Sequence, residues 1–183
     1  MPTVPDVGRP SLRRGDWSTV YCQVTAGQTF KMGDPVYRVE AGTISLAALN
    51  GSSDIDASAC RVLGFAGADA ADCLTQSGDF ALCPVDVPGE NAEFVVFAYH
   101  STAASAVLAL TDMGVGTGGA PITLPLHAYG TAPNYQWGAN VETNGTDDTI
   151  VITERHPKYP YSEQYGWFWA RWMTSMKSFT PAT

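Results

Sequence analysis

Residues 137–152 read WGANVETNGTDDTIVI. Asn144-Gly145 supplies the two positive-φ residues of a type I′ turn, the commonest two-residue hairpin connection. That turn sets Thr143 opposite Thr146. Counting outward, Val141 faces Asp148, Ala139 faces Ile150 and Trp137 faces Ile152. Trp137, Ile150 and Ile152 then share one face. The other face pairs Glu142 with Asp147, Asn140 with Thr149 and Gly138 with Val151. One apolar and one mostly polar face is the pattern of an antiparallel sheet covered on one side.

The same grammar runs through the chain upstream. Short runs rich in β-branched and aromatic residues occupy 18–24 (STVYCQV), 35–40 (PVYRVE), 43–49, 61–66 (RVLGFA), 79–87 and 92–100 (AEFVVFAYH). Turn formers separate them: Gly33-Asp34, Ala41-Gly42 and Pro88-Gly89. Evenly spaced short strands predict a mainly β fold, an antiparallel barrel or sandwich. Composition agrees, because charged residues make up only 15% of the 183 while Gly numbers 18 and Pro 12, which suits strands and turns better than a helical bundle. Residues 101–110 (STAASAVLAL) are ambiguous: Ser101 or Thr102 is a candidate cap for a short helix, and Ala and Leu favour one. The glycine-rich 112–119 reads as a loop.

Charge is distributed unevenly. Between Val62 and Glu154 there are eleven Asp and Glu and no Lys or Arg. The first 61 residues carry six of each sign, and 155–183 sums to +3, for a total of −8. An acidic body repels a phosphate backbone, so no nucleic-acid partner is expected. No apolar run approaches the roughly 20 residues of a membrane span. The opening MPTVPDVGRPSLRRGDW lacks the apolar centre of a signal peptide. Cys22, Cys60, Cys73 and Cys83 form no C-x-x-C pair. The chain is therefore expected where thiols stay reduced.

Three segments follow: an N-terminal arm over 1–16, broken by Pro2, Pro5, Gly8, Pro10 and Gly15; a β-rich body over 17–155; and an aromatic segment over 156–183. The last holds seven aromatics between Tyr159 and Trp172. Tyr165, Phe168, Trp169, Trp172, Met173 and Met176 fall at i, i+3, i+4, i+7, i+8 and i+11, which predicts a short helix. Trp167 lies off that stripe. A strand placing Tyr165, Trp167 and Trp169 on one face is the competing reading. The cluster serves the protein's own core, an interface with a subunit or partner, or a sugar.

Catalytic and metal patterns are weak. His100-Ser101 lacks a G-x-S-x-G elbow. His100, His127 and His156 stand in unrelated contexts, with no H-E-x-x-H. Asp54-x-Asp56 is half of a calcium loop without its closing Glu. Gly114-x-Gly116-x-x-Gly119 is followed by Ala120-Pro121 where a nucleotide-binding helix should start. The reading is a non-enzymatic protein without cofactor or metal.

Five pieces taken together carry a resemblance: FKMGDPVY (30–37), GTISLA (42–47), VLGFAGADA (62–70), CPVDVP (83–88) and FVVFAYHSTAASA (94–106). They resemble the small β-rich head-decoration, or cement, proteins of tailed bacteriophages. That resemblance implies a homo-oligomer, a trimer first, on the outer surface of an expanded head. There it would bridge major capsid protein subunits, after assembly in the host cytoplasm. On this reading Trp167, Phe168, Trp169 and Trp172 are the expected anchors, and Arg13 and Arg14 the arm contacts. The alternative is a carbohydrate-binding or adhesin-like virion surface module using exposed Trp and Tyr.

Overall fold

The structure, a computed structural model, describes residues 13–74, 82–107, 123–142, 147–158 and 164–177. The described residues form two sheets facing each other, a β sandwich with no closed barrel. The smaller sheet contains β2 (Trp17–Gln23), β3 (Pro35–Arg38), β4 (Ile44–Leu46), β5 (Val62–Ala66) and β6 (Leu82–Pro88), in the order β2-β6-β5-β3-β4. The larger contains β1 (Arg13–Arg14), β7 (Glu93–Tyr99), β8 (Thr123–Leu124), β9 (Leu126–Tyr129), β10 (Gln136–Asn140), β11 (Ile150–Arg155) and β12 (Trp167–Trp172). Its order is β8-β11-β12-β7-β10-β9. Phe94 of β7 pairs with Ala170 on one edge and Arg13 on the other, so β1 shares the β10 side of β7. A five-residue helix, α1 (Ala70–Leu74), follows β5.

Alternation along the strands explains the core. Phe94, Val96 and Ala98 of β7, Trp137 and Ala139 of β10, Ile150 and Ile152 of β11, and Phe168, Ala170 and Trp172 of β12 all point between the sheets. Phe65 meets them from the smaller sheet, 4.9 Å from Phe94 and 5.6 Å from Trp172 between ring centres. All five residues of β5 are buried. Val62 and Phe65 face this core, whereas Leu63 and Ala66 face a second one formed with Phe30, Val36, Ile44 and Val85. A strand covered on both sides reads as a continuous apolar run, as VLGFA does. A Cβ on Gly64 would stand 2.1 Å from the Asp86 carbonyl oxygen, so only glycine lets β6 approach this closely.

The G-D-P-V stretch has a defined task. Asp34 is fully buried, accepts the Lys31 amide at 2.8 Å and takes the Trp137 indole N–H at 3.0 Å. It thereby ties the turn before β3 to the opposite sheet. Buried donors left without acceptors cost about 1–3 kcal/mol each, so this carboxylate fixes how the sheets meet.

Two local expectations are corrected. The inward faces of the 137–152 stretch are as read, but β10 and β11 do not pair; β12 and β7 lie between them. Instead β10 runs parallel to β7 and antiparallel to β9. The Asn144-Gly145 turn lies outside the described residues. The C-terminal helix is also overturned, because 167–172 is a strand hydrogen-bonded to β11 and β7, followed by a single 3-10 turn over Thr174–Met176. The strand reading resolves what the helix left unexplained. Ala170, which is not among the residues of that helical stripe, is fully buried, and Trp167 shares an outward face with Trp169 and Arg171.

Of the aromatic segment, the described strand β12 belongs to the body, because it occupies the interior of the larger sheet. Arg13 and Arg14 of the expected arm form β1 against β7; residues 1–12 lie outside the described set, as does the glycine-rich 112–119.

Candidate docking face

One row of paired residues crosses the outer side of the larger sheet: Trp167 of β12, Phe97 of β7, Gly138 of β10 and His127 of β9. Side chains of paired residues in a sheet project to the same side. A Cβ on Gly138 would meet the Phe97 ring at 2.9 Å, so the glycine makes room for that ring to lie across β10. Tyr165 and Ala106 cover Phe97. Around this row the outer face is an aromatic band.

At one end stand Trp167 and Trp169, both half-buried. The His156 ring centre lies 5.6 Å from Trp167 and 5.9 Å from Trp169. Lys158 Nζ sits 5.4 Å from the Trp167 ring centre, and Arg14 Cζ 4.3 Å from that of Trp169. Cations over indole faces are held by the ring quadrupole. Glu93 and Glu154 both bond the Arg14 guanidinium, the latter at 2.6 Å. The Glu93 hydrogen bond is the first cause of the raised Arg14 pKa.

At the other end Tyr99 stacks on His127, with ring centres 3.9 Å apart and planes within 11°. Tyr129, 38% exposed, lies 5.6 Å from Tyr99. Behind them Asp54 Oδ1 accepts Asn140 Nδ2 at 2.9 Å and contacts His127 Nδ1 at 2.9 Å. Asp54 is thus a buried link from the 50–56 turn to β9 and β10. Burial first, then the nearby Glu142 charge, pushes the Tyr99 hydroxyl pKa up.

The expected anchors divide. Phe168 and Trp172, at 1% and 2% exposed, face the protein's own core and are corrected as partner contacts: a partner would have to open the sandwich to reach them. Trp167 and Trp169 remain on the surface. Arg14 belongs to the band. Arg13 turns the other way, pairing with Asp86 and lying 5.1 Å from Trp17 and 5.2 Å from Phe65 between ring centre and Cζ. The positive N-terminal residues thus neutralise the acidic body from within: Arg13 meets Asp86, Arg14 meets Glu93 and Glu154, and Lys31 meets Asp69.

His100 and Ser101 do not address each other. Ser101 donates its hydroxyl to Glu142 at 2.9 Å, and His100 Nδ1 accepts the Thr102 amide at 2.9 Å. Among the described residues, no group of three or more His, Cys, Asp or Glu is placed to hold a metal ion. No described helix is long and apolar enough to cross a membrane. The four cysteines are buried free thiols. Tyr99, Gly138, His127 and His156 had no place in the sequence-level site, because the register that aligns them joins strands far apart in the chain. The alternation of Val95, Phe97 and Tyr99 was the one local signal for them.

Comparison of the chain with protein-family models, curated proteins and solved structures finds no match.

Proposed function

We propose that the protein is a structural capsid decoration protein, docking on the outside of a phage head through the aromatic band. The observation that supports this reading is Trp167 and Trp169 side by side on an interior strand, with Arg14 and Lys158 over their faces. The residues that carry most of the binding energy of protein interfaces are enriched in Trp, Tyr and Arg. Held on a sheet rather than a loop, they dock with little ordering cost. The resemblance of 30–106 to head-decoration proteins supplies the partner, the major capsid protein, and the assembly, a homotrimer spanning joints between capsid subunits. Docking needs no cofactor and no reacting group.

The test mixes purified protein with expanded heads lacking decoration and measures co-sedimentation. Wild-type protein saturates the heads, and the Trp167→Ala/Trp169→Ala pair weakens binding by about tenfold or more, given that hot-spot residues cost about 2 kcal/mol each. Wild-type protein that fails to bind heads removes the proposal. Flat, half-exposed rings also suit sugar stacking. Glycan-array binding lost in the same double variant would decide for the carbohydrate-binding alternative.

A further inference from the structure

The smaller sheet has a long open edge at β2. All seven residues of this strand pair with β6 without a register shift, and no described strand lies on its other side. Elsewhere among the described residues the sheet edges are short or covered. β4 has three residues and β8 two, and 53–55 lines β9 through the Ile55 amide to Leu126 and the Ala128 amide to Ser53. Ser18, Thr19, Tyr21 and Gln23 of β2 are exposed, Tyr21 to 67%. Folded monomers blunt such an edge with a charge, a proline or a bulge. WSTVYCQ has none of the three.

The register fixes which backbone groups this edge offers. Antiparallel pairs alternate between those that exchange N–H···O=C bonds and those that turn these groups away. Tyr21 faces Pro84 and Trp17 faces Pro88, and a proline has no N–H to give. The Pro84 carbonyl accepts the Gly67 amide at 2.7 Å, so its backbone addresses β5. Asp16, of the opposite parity to Tyr21, gives its carbonyl to the Gly89 amide at 2.8 Å on the β6 side. Thr25, of the same parity as Tyr21, donates its N–H to the Ile44 carbonyl at 2.9 Å on the outer side. Trp17, Thr19 and Tyr21 therefore turn N–H and C=O outward, where no described strand meets them.

We infer that this edge pairs with the same edge of a second copy of the chain, antiparallel and two-fold about Thr19. That register sets Thr19 opposite Thr19 and Trp17 opposite Tyr21 of the second copy. Each facing pair exchanges two backbone bonds, about six in all. Thr–Thr and aromatic pairs are favourable cross-strand neighbours, and the exposed Tyr21 gains the half-buried Trp17 as cover. No charged residue lies in the paired stretch. Asp16 stands three residues from the centre on each copy, so the two are about 20 Å apart at about 3.3 Å per residue, beyond the Debye length of about 8 Å. Asp86, beside Thr19 on β6, is already met by Arg13. The paired stretch has natural ends, because Val24 bridges Ile44 at one and the chain turns at Gly15, φ +82°, at the other. The contact is independent of the docking proposal, since it uses the smaller sheet and leaves Trp167 and Trp169 free.

The test is sedimentation velocity of the whole protein from low-micromolar to near-millimolar concentration. Pairing doubles the mass of whatever unit the chain otherwise forms. Thr19→Pro removes an outward N–H and leaves the β6 ladder intact, and Thr19→Lys sets two ammonium groups face to face. Each weakens pairing about tenfold or more. Mixing Thr19→Lys with Thr19→Asp restores the doubled species, because residue 19 meets residue 19. Wild-type protein that never doubles, doubling unchanged in Thr19→Lys, or a mixture that pairs no better than its components overturns the inference. Wild-type protein that stays undoubled but loses binding to phage heads on Thr19→Lys gives the edge to a strand of the capsid and overturns the second copy. Native far-ultraviolet circular dichroism verifies that each variant, changed at an exposed position, is folded.

Discussion

Phe168 and Trp169 are adjacent on β12 yet face opposite ways, and replacing each by alanine separates the two geometries open to this segment. Phe168 is 1% exposed and sits among Phe94, Ile150 and Trp172 in the main core. Truncating a buried Phe removes its transfer energy and leaves a cavity, about 3–5 kcal/mol together. Trp169 is half-buried on the outer face. Its loss forfeits the Arg14 contact, about 0.5–1 kcal/mol, and part of a ring's burial, for a total of about 1–2 kcal/mol. At about 2–4 °C per kcal/mol for a chain of this size, Phe168→Ala lowers the melting temperature by about 6–20 °C and Trp169→Ala by about 2–8 °C. Urea unfolding followed by far-ultraviolet circular dichroism, with unchanged m-values, measures both. On a helix the two residues share one apolar stripe and their losses would be alike. A Trp169→Ala cost equal to or above that of Phe168→Ala refutes the strand assignment and with it the outward aromatic band.

Asp34→Ala leaves the Trp137 indole and the Lys31 amide without an acceptor, a loss of about 2–4 kcal/mol in thermal melts; Asp34→Asn, which keeps one carbonyl oxygen, costs less. Burial, with Cys73 next to it, pushes the Cys83 thiol up to about 12 from 9.0. The folded state therefore keeps this proton while the unfolded chain releases it above about pH 9. That contribution to stability is complete below pH 9 and is lost as pH rises towards 12. Urea midpoints across this range fall less steeply in Cys83→Ala, and iodoacetamide at pH 8 leaves Cys83 of the native protein unmodified.

Most strands were legible because their evidence is local. STVYCQV, PVYR, VLGFA and EFVVFAY are β-rich between turn formers, and β2, β3, β5 and β7 stand there. The site was only half legible. Trp167 and Trp169 stood out by type, but helical spacing was satisfied by accident, since Phe168, Trp169 and Trp172 fit a period of 3.6 while Phe168, Ala170 and Trp172 fit a period of 2. A small residue such as Ala170 is silent in either pattern. Arg13 and Arg14 looked alike in the chain. Pairing with β7 sends one inward to Asp86 and the other outward to Trp169.

The sequence alone determined the β class, the positions of most strands and which residues of 137–152 face the core. Alternation along a strand is written residue by residue, and any place in the sheet satisfies it. Tertiary structure decided who lies beside whom: β12 and β7 between β10 and β11, and the aromatic segment in the middle of the larger sheet. Closing a longer loop adds only about 0.6 kcal/mol for each doubling of its length. Burying Phe168 and Trp172 is worth about 1.5–3 kcal/mol or more apiece. A distant aromatic strand therefore displaces the nearest neighbour in sequence, and it carries Trp167 and Trp169 to the outer face.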